Sequence, residues 1–382
     1  MREPFAPPLR TRAALLPETG APFRVVELEL DPPKQHEVLV RLHASGVCHS
    51  DQNAVDGTAE TRCPAVLGHE GAGVVEAVGP GVTAIVPGDR VALSWLPACG
   101  VCEECRRDLP HLCAAAFPAM DAGGLLDGTT RLSYDGRPAY HYSLLSTFAE
   151  HTVVPEASCI PIPDDVPFDV AALVGCAITT GVCAAWRTAR VAPGERVAVF
   201  GCGGVGLSAV MAAAAAGAEP IVAVDVSLER ARAAAEFGAT AAVAWAGDAD
   251  ATGAAVQAAS GGGVDHAFEA TGRPEAMRAA FLSVRPRGQA VLIGIPRADA
   301  ELRVPARLIP RGERRVIGAL YGSARPERDF GLILDAYRRG RLPLDRLISH
   351  RLPLERIEDA FALLREGGAR RAVLALGPEG AA

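Results

Sequence analysis

Short valine-containing runs recur through the first 175 residues, at 37–42, 73–78 and 90–93. Turn signals separate them: Gly79-Pro80-Gly81, Pro87-Gly88-Asp89 and Asp135-Gly136. Short apolar runs bounded by glycine and proline predict a β-rich, barrel-like domain. From about Thr179 the pattern changes. Strand-like runs at 196–200, 220–224, 266–270 and 290–295 alternate with alanine-rich helical stretches at 207–216, 228–237 and 274–284. Alternating strand and helix signals predict a parallel sheet covered on both faces. After about Tyr321 come two amphipathic stretches, 330–339 and 354–365, and a last strand, 371–376. No internal repeat is visible.

One stretch tests this reading. Residues 197–218 carry no charge over 22 positions, long enough to cross a bilayer. Gly201, Gly203, Gly204 and Gly206 cut it into a β-branched run and an alanine-rich run, which predicts a buried strand, a tight turn and a helix.

Composition narrows the class. A chain of 382 residues corresponds to two or three domains at about 100–200 residues each. With 49% apolar and 22% charged residues it has globular composition, which excludes disorder and coiled coil. The net charge is −7 and no long basic run occurs, so neither nucleic acid nor an anionic membrane is an expected partner. The first twelve residues hold charges and prolines but no apolar core of a secretory signal, so a reducing, cytoplasmic setting is expected. There, ten cysteines point to metal or chemistry rather than to disulfides.

The densest group is Cys99, Cys102 and Cys105, with Cys113 eight residues on. Four thiolates can close a tetrahedral shell, which leaves no open position and makes such a site structural; a redox dithiol is the other reading. A second constellation is dispersed: Cys48 in Gly46-Val47-Cys48-His49-Ser50-Asp51, His69 in Gly68-His69-Glu70, and Cys176. Two thiolates and one imidazole suit a zinc with one exchangeable position, although each residue alone reads as well as a packed side chain. Asp51 or Glu70 would then hold His69 in the required tautomer.

The third motif is Gly201-Cys202-Gly203-Gly204-Val205-Gly206, placed after a predicted strand and opening a predicted helix. Asp225 ends the next strand, at the spacing of the dinucleotide fingerprint. The glycines admit a pyrophosphate to backbone N–H groups, and Asp225 can accept hydrogen bonds from an adenosine ribose. Its charge would repel a 2′-phosphate, which argues for NAD over NADP.

Together these residues resemble the zinc-dependent medium-chain alcohol dehydrogenases, over nearly the whole chain. Residues 127–131 and 146–148 resemble the longer subgroup that contains the animal-type and formaldehyde-oxidising enzymes. The resemblance implies an α/β plus β architecture. A GroES-like catalytic domain would span 1–178, with a structural-zinc lobe at about 95–115. A Rossmann coenzyme domain would span 179–320, and 321–382 would return to the catalytic domain. It implies two zinc ions per chain, one on Cys48, His69 and Cys176 with Glu70 behind it, the other on Cys99, Cys102, Cys105 and Cys113. It implies NAD(H) held by the glycine motif and Asp225, with His49 and Arg371 at the pyrophosphate and Arg230 beside the ribose.

Ser50 matches the hydroxyl that bonds the reacting oxygen, and Trp95 and Tyr142 match substrate-pocket positions. The implied reaction is hydride transfer between a zinc-bound alkoxide and nicotinamide, with a small alcohol or aldehyde as substrate and a homodimer or homotetramer as the assembly. Two other readings share these motifs: a dehydrogenase whose NAD(H) never exchanges, and a zinc- and dinucleotide-binding protein without turnover.

Two positions depart from the family pattern. Asn53 stands where many members carry a proton-relaying histidine, and an amide does not titrate near neutrality. Phe117 stands where the glutathione-adduct subgroup carries an arginine, which favours an uncharged substrate. The proton is therefore expected to leave by another group or through water. Asn53→His should alter the pH profile of alcohol oxidation, and steady-state rates across the pH range check it; an unchanged profile would overturn the assignment.

Overall fold

The alternating apolar positions of the N-terminal part pair into two β systems. In the strand Glu37–Val47, Val38, Val40 and Leu42 are fully buried at every second position, as a strand with one face on a core requires. This strand is the spine of a seven-stranded sheet. It pairs antiparallel with Glu70–Val78, His151–Pro155 and Arg371–Ala375. Ile348–Pro353 lies outside the last of these, and Arg90–Leu93 and Cys159–Pro161 extend the other side. Five further strands, Leu9–Leu16, Arg24–Leu30, Leu132–Tyr134, Arg137–His141 and Ala65–Val66, close into a small barrel. The computed structural model describes residues 7–377.

The second part is a six-stranded parallel sheet. Its spatial order is Ala241–Ala244, Ile221–Asp225, Val197–Phe200, Val264–Glu269, Val284–Leu292, Arg315–Gly318. The chain winds outward from Val197–Phe200 in one direction and then in the other, which is the doubly wound order whose switch point receives ligands. Every residue of Val197–Phe200 and Ile221–Asp225 is buried, as strands covered on both faces must be. The uncharged stretch resolves into the strand Val197–Phe200, a turn and the helix Gly204–Ala215.

One apolar helix was not legible beforehand. Phe168–Ala189 is continuous but irregular: α-helix at Phe168–Leu173 and Thr179–Cys183, π-helix at Val174–Ile178 and Ala184–Ala189. Among the described residues it is the one helix long and apolar enough to cross a membrane, and most of it is buried within the protein. Its Val, Ala, Gly, Cys and Thr side chains leave no continuous polar face, so no helical period marks it in the sequence.

The chain divides into two units. One runs to Cys176 and takes in Arg325–Leu334 and the part from Ile348 onward; the other is Ala177–Ala324 with Asp335–Leu347. The expected return at 321 thus differs from the observed one, because Asp335–Leu347 goes with the parallel-sheet unit. Its arginines bind that unit's helix ends: Arg341 donates to the Ala215 carbonyl (3.2 Å) and Arg346 to the Glu236 carbonyl (3.5 Å). The strand Arg371–Ala375 pairs with the spine strand in the first unit.

A buried ion pair joins the barrel to the large sheet within the first unit. Arg131, fully buried ahead of Leu132–Tyr134, donates Nε to Glu37 (2.9 Å) and Nη2 to Asp127 (2.8 Å). Glu37 is itself buried at the start of the spine strand. Removing one member of a buried pair strands the other charge, at about 3–5 kcal/mol. Arg131→Ala should destabilise the protein by that order in denaturant unfolding, and Glu37→Gln with Arg131→Met together should cost less than the single Arg131→Ala.

Candidate metal and coenzyme sites

The dispersed constellation assembles in the first unit. Cys48 follows the spine strand and precedes the short helix His49–Val55. His69 immediately precedes Glu70–Val78, and the register places Gly46 opposite Glu70, so pairing of two neighbouring strands brings Cys48 and His69 together. Cys176 arrives on the π-helical turn Val174–Ile178. One ligand atom from each of Cys48, His69, Glu70 and Cys176 lies within 4.8 Å of the others.

Glycine makes this approach possible at two positions. A Cβ on Gly46 would fall 2.0 Å from the Glu70 carboxylate, and one on Gly175 would fall 2.5 Å from the Leu93 carbonyl. The first clears space for Glu70, and the second lets the Cys176 turn reach the end of Arg90–Leu93.

Asp51, not Glu70, orients the imidazole. Its buried carboxylate accepts from His69 Nδ1 (3.0 Å), Cys48 N (3.0 Å) and Gly68 N (3.2 Å). With Nδ1 held as the donor, Nε2 is the ring nitrogen left for a metal, which would displace any proton on it. Burial opposes a charge on His69, but Asp51's charge and hydrogen bond, with Cys48, hold its pKa well above the usual value. Glu70 pairs instead with Arg371. Burial pushes the Glu70 carboxyl up to about 7, against the pull of Arg371.

Cys48 and Cys176 share a hydrogen bond that holds Cys48 well below the ordinary thiol value and Cys176 well above it. Two adjacent thiols beside an oriented imidazole form a donor set that a divalent cation completes by displacing thiol protons. The residues fit a zinc with an open position.

Ser50 is exposed at the start of the His49–Val55 helix, its Oγ 3.9 Å from Cys48 Sγ. The Tyr142 hydroxyl donates to the Ser50 carbonyl (2.9 Å), and its ring meets His69 edge-on at 5.8 Å between centroids. Trp95 packs, partly buried, against the core of the large sheet. His49 is exposed beside Ser50. Arg371 is buried on Glu70, and its Nε is a buried donor with no hydrogen-bond partner among the described residues.

The four-cysteine lobe closes as its spacing predicts. The sulfurs of Cys99, Cys102, Cys105 and Cys113 lie within 4.8 Å of one another. Backbone N–H groups aim at them, from Cys102 to Cys99 Sγ (3.3 Å), Cys105 to Cys102 Sγ (3.4 Å) and Cys99 to Cys113 Sγ (3.3 Å). Such donors, the Val101 N–H first, bring Cys99 down to about 7, whereas burial and the neighbouring thiols push Cys105 up to about 12. Four sulfurs this close cannot all ionise without a cation, and the set fits structural zinc. Of the four remaining cysteines, Cys159, Cys183 and Cys202 are buried and Cys63 is half-buried.

The glycine motif lies in the second unit. Gly201 has φ +95°, and a Cβ on Gly206 would fall 1.8 Å from the Gly201 carbonyl, so the turn itself requires both. Gly203 differs: a Cβ there would meet no protein atom within 4 Å. It caps the helix Gly204–Ala215, whose first turn holds Gly204 and Val205. Open space before the N–H groups of a twelve-residue helix fits a pyrophosphate. Asp225, at the end of its strand, accepts from Cys202 N (2.9 Å), Ser227 N (3.0 Å) and both Nε (3.0 Å) and Nη2 (2.7 Å) of Arg230.

The reading from the residues alone left Asp51 and Glu70 as alternatives for orienting His69, and it gave Gly46 and Gly175 no role. Only the pairing register and the helix path show what those glycines face.

Residues 34–164 match the alcohol dehydrogenase GroES-like domain, and residues 204–336 match the zinc-binding dehydrogenase family. An alcohol dehydrogenase zinc-binding domain protein from Burkholderia ambifaria is 35% identical, with TM-score 0.92 over 97% of this chain and 99% of that one. The benzyl alcohol dehydrogenase of Acinetobacter calcoaceticus is 31% identical, with TM-score 0.91 over 97% of this chain and 100% of that one. A short chain alcohol dehydrogenase from E. coli CFT073, complexed with NADH, is 23% identical with TM-score 0.79 over 96% and 99%, a likeness of fold.

The two glycines separate fold from binding. Gly206→Ala should lower the melting temperature without ligand, since the overlap must be relieved at about 1–3 kcal/mol. Gly203→Ala should leave the melt unchanged and weaken dinucleotide binding, read by titration of protein fluorescence.

Proposed function

The chain belongs to the zinc-dependent medium-chain alcohol dehydrogenases, and from that premise we propose that it oxidises a primary, uncharged, preferably aromatic alcohol to the aldehyde with NAD, and runs the reduction in reverse. The observation that carries this is the Cys48, His69 and Cys176 donor set with His69 fixed by Asp51 and an exposed hydroxyl, Ser50, at its edge. A protein that only stored metal would need neither an open position nor that hydroxyl.

Zinc on these three residues would supply Lewis acidity, lowering the pKa of an alcohol hydroxyl toward neutrality. The rest is the work of the chain's own groups. Ser50 Oγ accepts the hydroxyl proton in a short hydrogen bond as it passes its own proton to solvent water, and Tyr142 fixes Ser50 by holding its carbonyl. Asp51 keeps Nε2 of His69 available. Glu70 and Arg371 neutralise one another behind the ligands, so no unpaired charge remains buried there. In the second unit the Gly204–Ala215 helix start and Asp225 would hold the pyrophosphate and the adenosine ribose.

The aromatic preference rests on Trp95 and Tyr142, matched to substrate-pocket positions, and on the likeness to a benzyl alcohol dehydrogenase. Phe117 offers no charge for an anionic thiol adduct.

Purified protein should contain two zinc ions per chain and oxidise benzyl alcohol faster than short aliphatic alcohols. Ser50→Ala should retain both metals and lose about 10²–10⁴ in turnover, the range for general acid–base groups. Metal confined to the four-cysteine lobe, or no oxidation across a graded series of alcohols, would overturn the proposal.

A further inference from the structure

The segment that carries Tyr142 is folded against its own conformational preferences. Of the eleven non-glycine residues with positive φ among the described residues, three fall within four positions here: Ser143 (φ 51°), Leu144 (φ 61°) and Ser146 (φ 55°). None is an asparagine or aspartate, the residues that enter this region most readily after glycine, and a leucine there is an outlier. Such residues persist only where their surroundings over-determine them. Leu144, Leu145 and Ser146 are buried, and Leu145 belongs to the core of the large sheet. The Thr152 hydroxyl donates to the Leu145 carbonyl. Just beyond the turn, Thr147 N donates to the Gly68 carbonyl (3.0 Å) and Phe148 N to the Leu67 carbonyl (3.0 Å).

What the turn holds is Tyr142. Its carbonyl accepts from both Leu145 N (3.0 Å) and Ser146 N (3.1 Å), and its own N–H donates to Ser146 Oγ (3.1 Å). The side chain fixed in this way reaches two parts of the dispersed constellation. Its hydroxyl donates to the Ser50 carbonyl (2.9 Å), and its ring meets His69 edge-on at 5.8 Å. The same segment abuts the backbone beside His69: a Cβ on Gly68 would fall 2.5 Å from Thr147 Oγ1, which is bonded to Ser45 Oγ (2.6 Å). An unconstrained loop sheds such strain by relaxing. Relaxation here would carry Tyr142 away from Ser50 and His69 together.

We propose that the left-handed loop 143–146 is a positioning element for the reaction, which holds the Tyr142 side chain on Ser50 and His69 and lowers the stability of the fold in doing so. This rests on the reading of Ser50 and His69 as parts of the reacting centre. No residue of the loop is itself catalytic; the loop acts through Tyr142, which fixes the Ser50 end of the His49–Val55 helix. The signature of such an element is a substitution that stabilises the protein and slows turnover.

The test pairs thermal melts with steady-state oxidation of benzyl alcohol by the purified, zinc-loaded full chain. Ser143→Gly accepts a positive φ without strain and should raise the melting temperature by about 1–3 °C. It should also lower kcat about tenfold while the KM for NAD stays within about twofold. Ser143→Ala loses the hydroxyl but keeps the strain, and should match wild type in both measurements. In Tyr142→Phe the bond to Ser50 is already cut, so adding Ser143→Gly should change kcat less than about twofold. Four results would each overturn the proposal: an unchanged kcat in Ser143→Gly, a lower melting temperature in Ser143→Gly, a loss of turnover shared by Ser143→Ala, or the same loss in the Tyr142→Phe background. Should wild type oxidise no alcohol, the reading of the site falls and this proposal with it. Wild-type turnover with an indifferent Ser143→Gly overturns this proposal alone.

Discussion

A single buried carboxylate organises the first unit. Asp51 accepts from the backbone of Cys48, the backbone of Gly68 and the ring of His69, and so fastens two chain segments to each other before any metal arrives. A buried carboxylate needs donors on its lone pairs, and these three meet that need while setting the geometry of two ligands at once. The imidazole it holds has one nitrogen committed and the other exposed to the centre. Everything proposed for the reaction follows from that: the donor set, the open position and the placement of Ser50 at its edge.

The protein repeatedly places backbone where a side chain would intrude. Gly46 yields space to Glu70, Gly175 lets the Cys176 turn reach a strand end, and Gly206 sits on the Gly201 carbonyl. Charges are handled with equal economy of partners. Glu70 meets Arg371, Glu37 meets Arg131, and Asp225 meets Arg230. The first two pairs are buried, where an unpaired charge would be most costly. The third is partly exposed at Arg230.

Legibility followed the range of the interactions. The four-cysteine lobe was readable because its ligands lie within one short segment, where chelate geometry dictates spacing. The strand, glycine turn and helix at 197–215 were readable because glycine and alanine mark a turn and a helix locally. The helix Phe168–Ala189 was hidden, since burial on all sides erases the periodic signal that marks an amphipathic helix. The allegiance of Asp335–Leu347 was hidden as well, because it turns on where two arginines find helix carbonyls.

The residue pattern by itself determined the two kinds of domain, the closed four-thiolate lobe and the dinucleotide turn, because each is encoded by neighbours along the chain. It could also nominate Cys48, His69 and Cys176, but as isolated residues each reads sooner as packing, and resemblance rather than spacing joined them. Tertiary structure decided which carboxylate orients His69, what Glu70 pairs with, and that Asp225 is shared with Arg230. Those outcomes depend on strand register and on which buried charge finds which partner, and a linear sequence does not record who meets whom across a sheet.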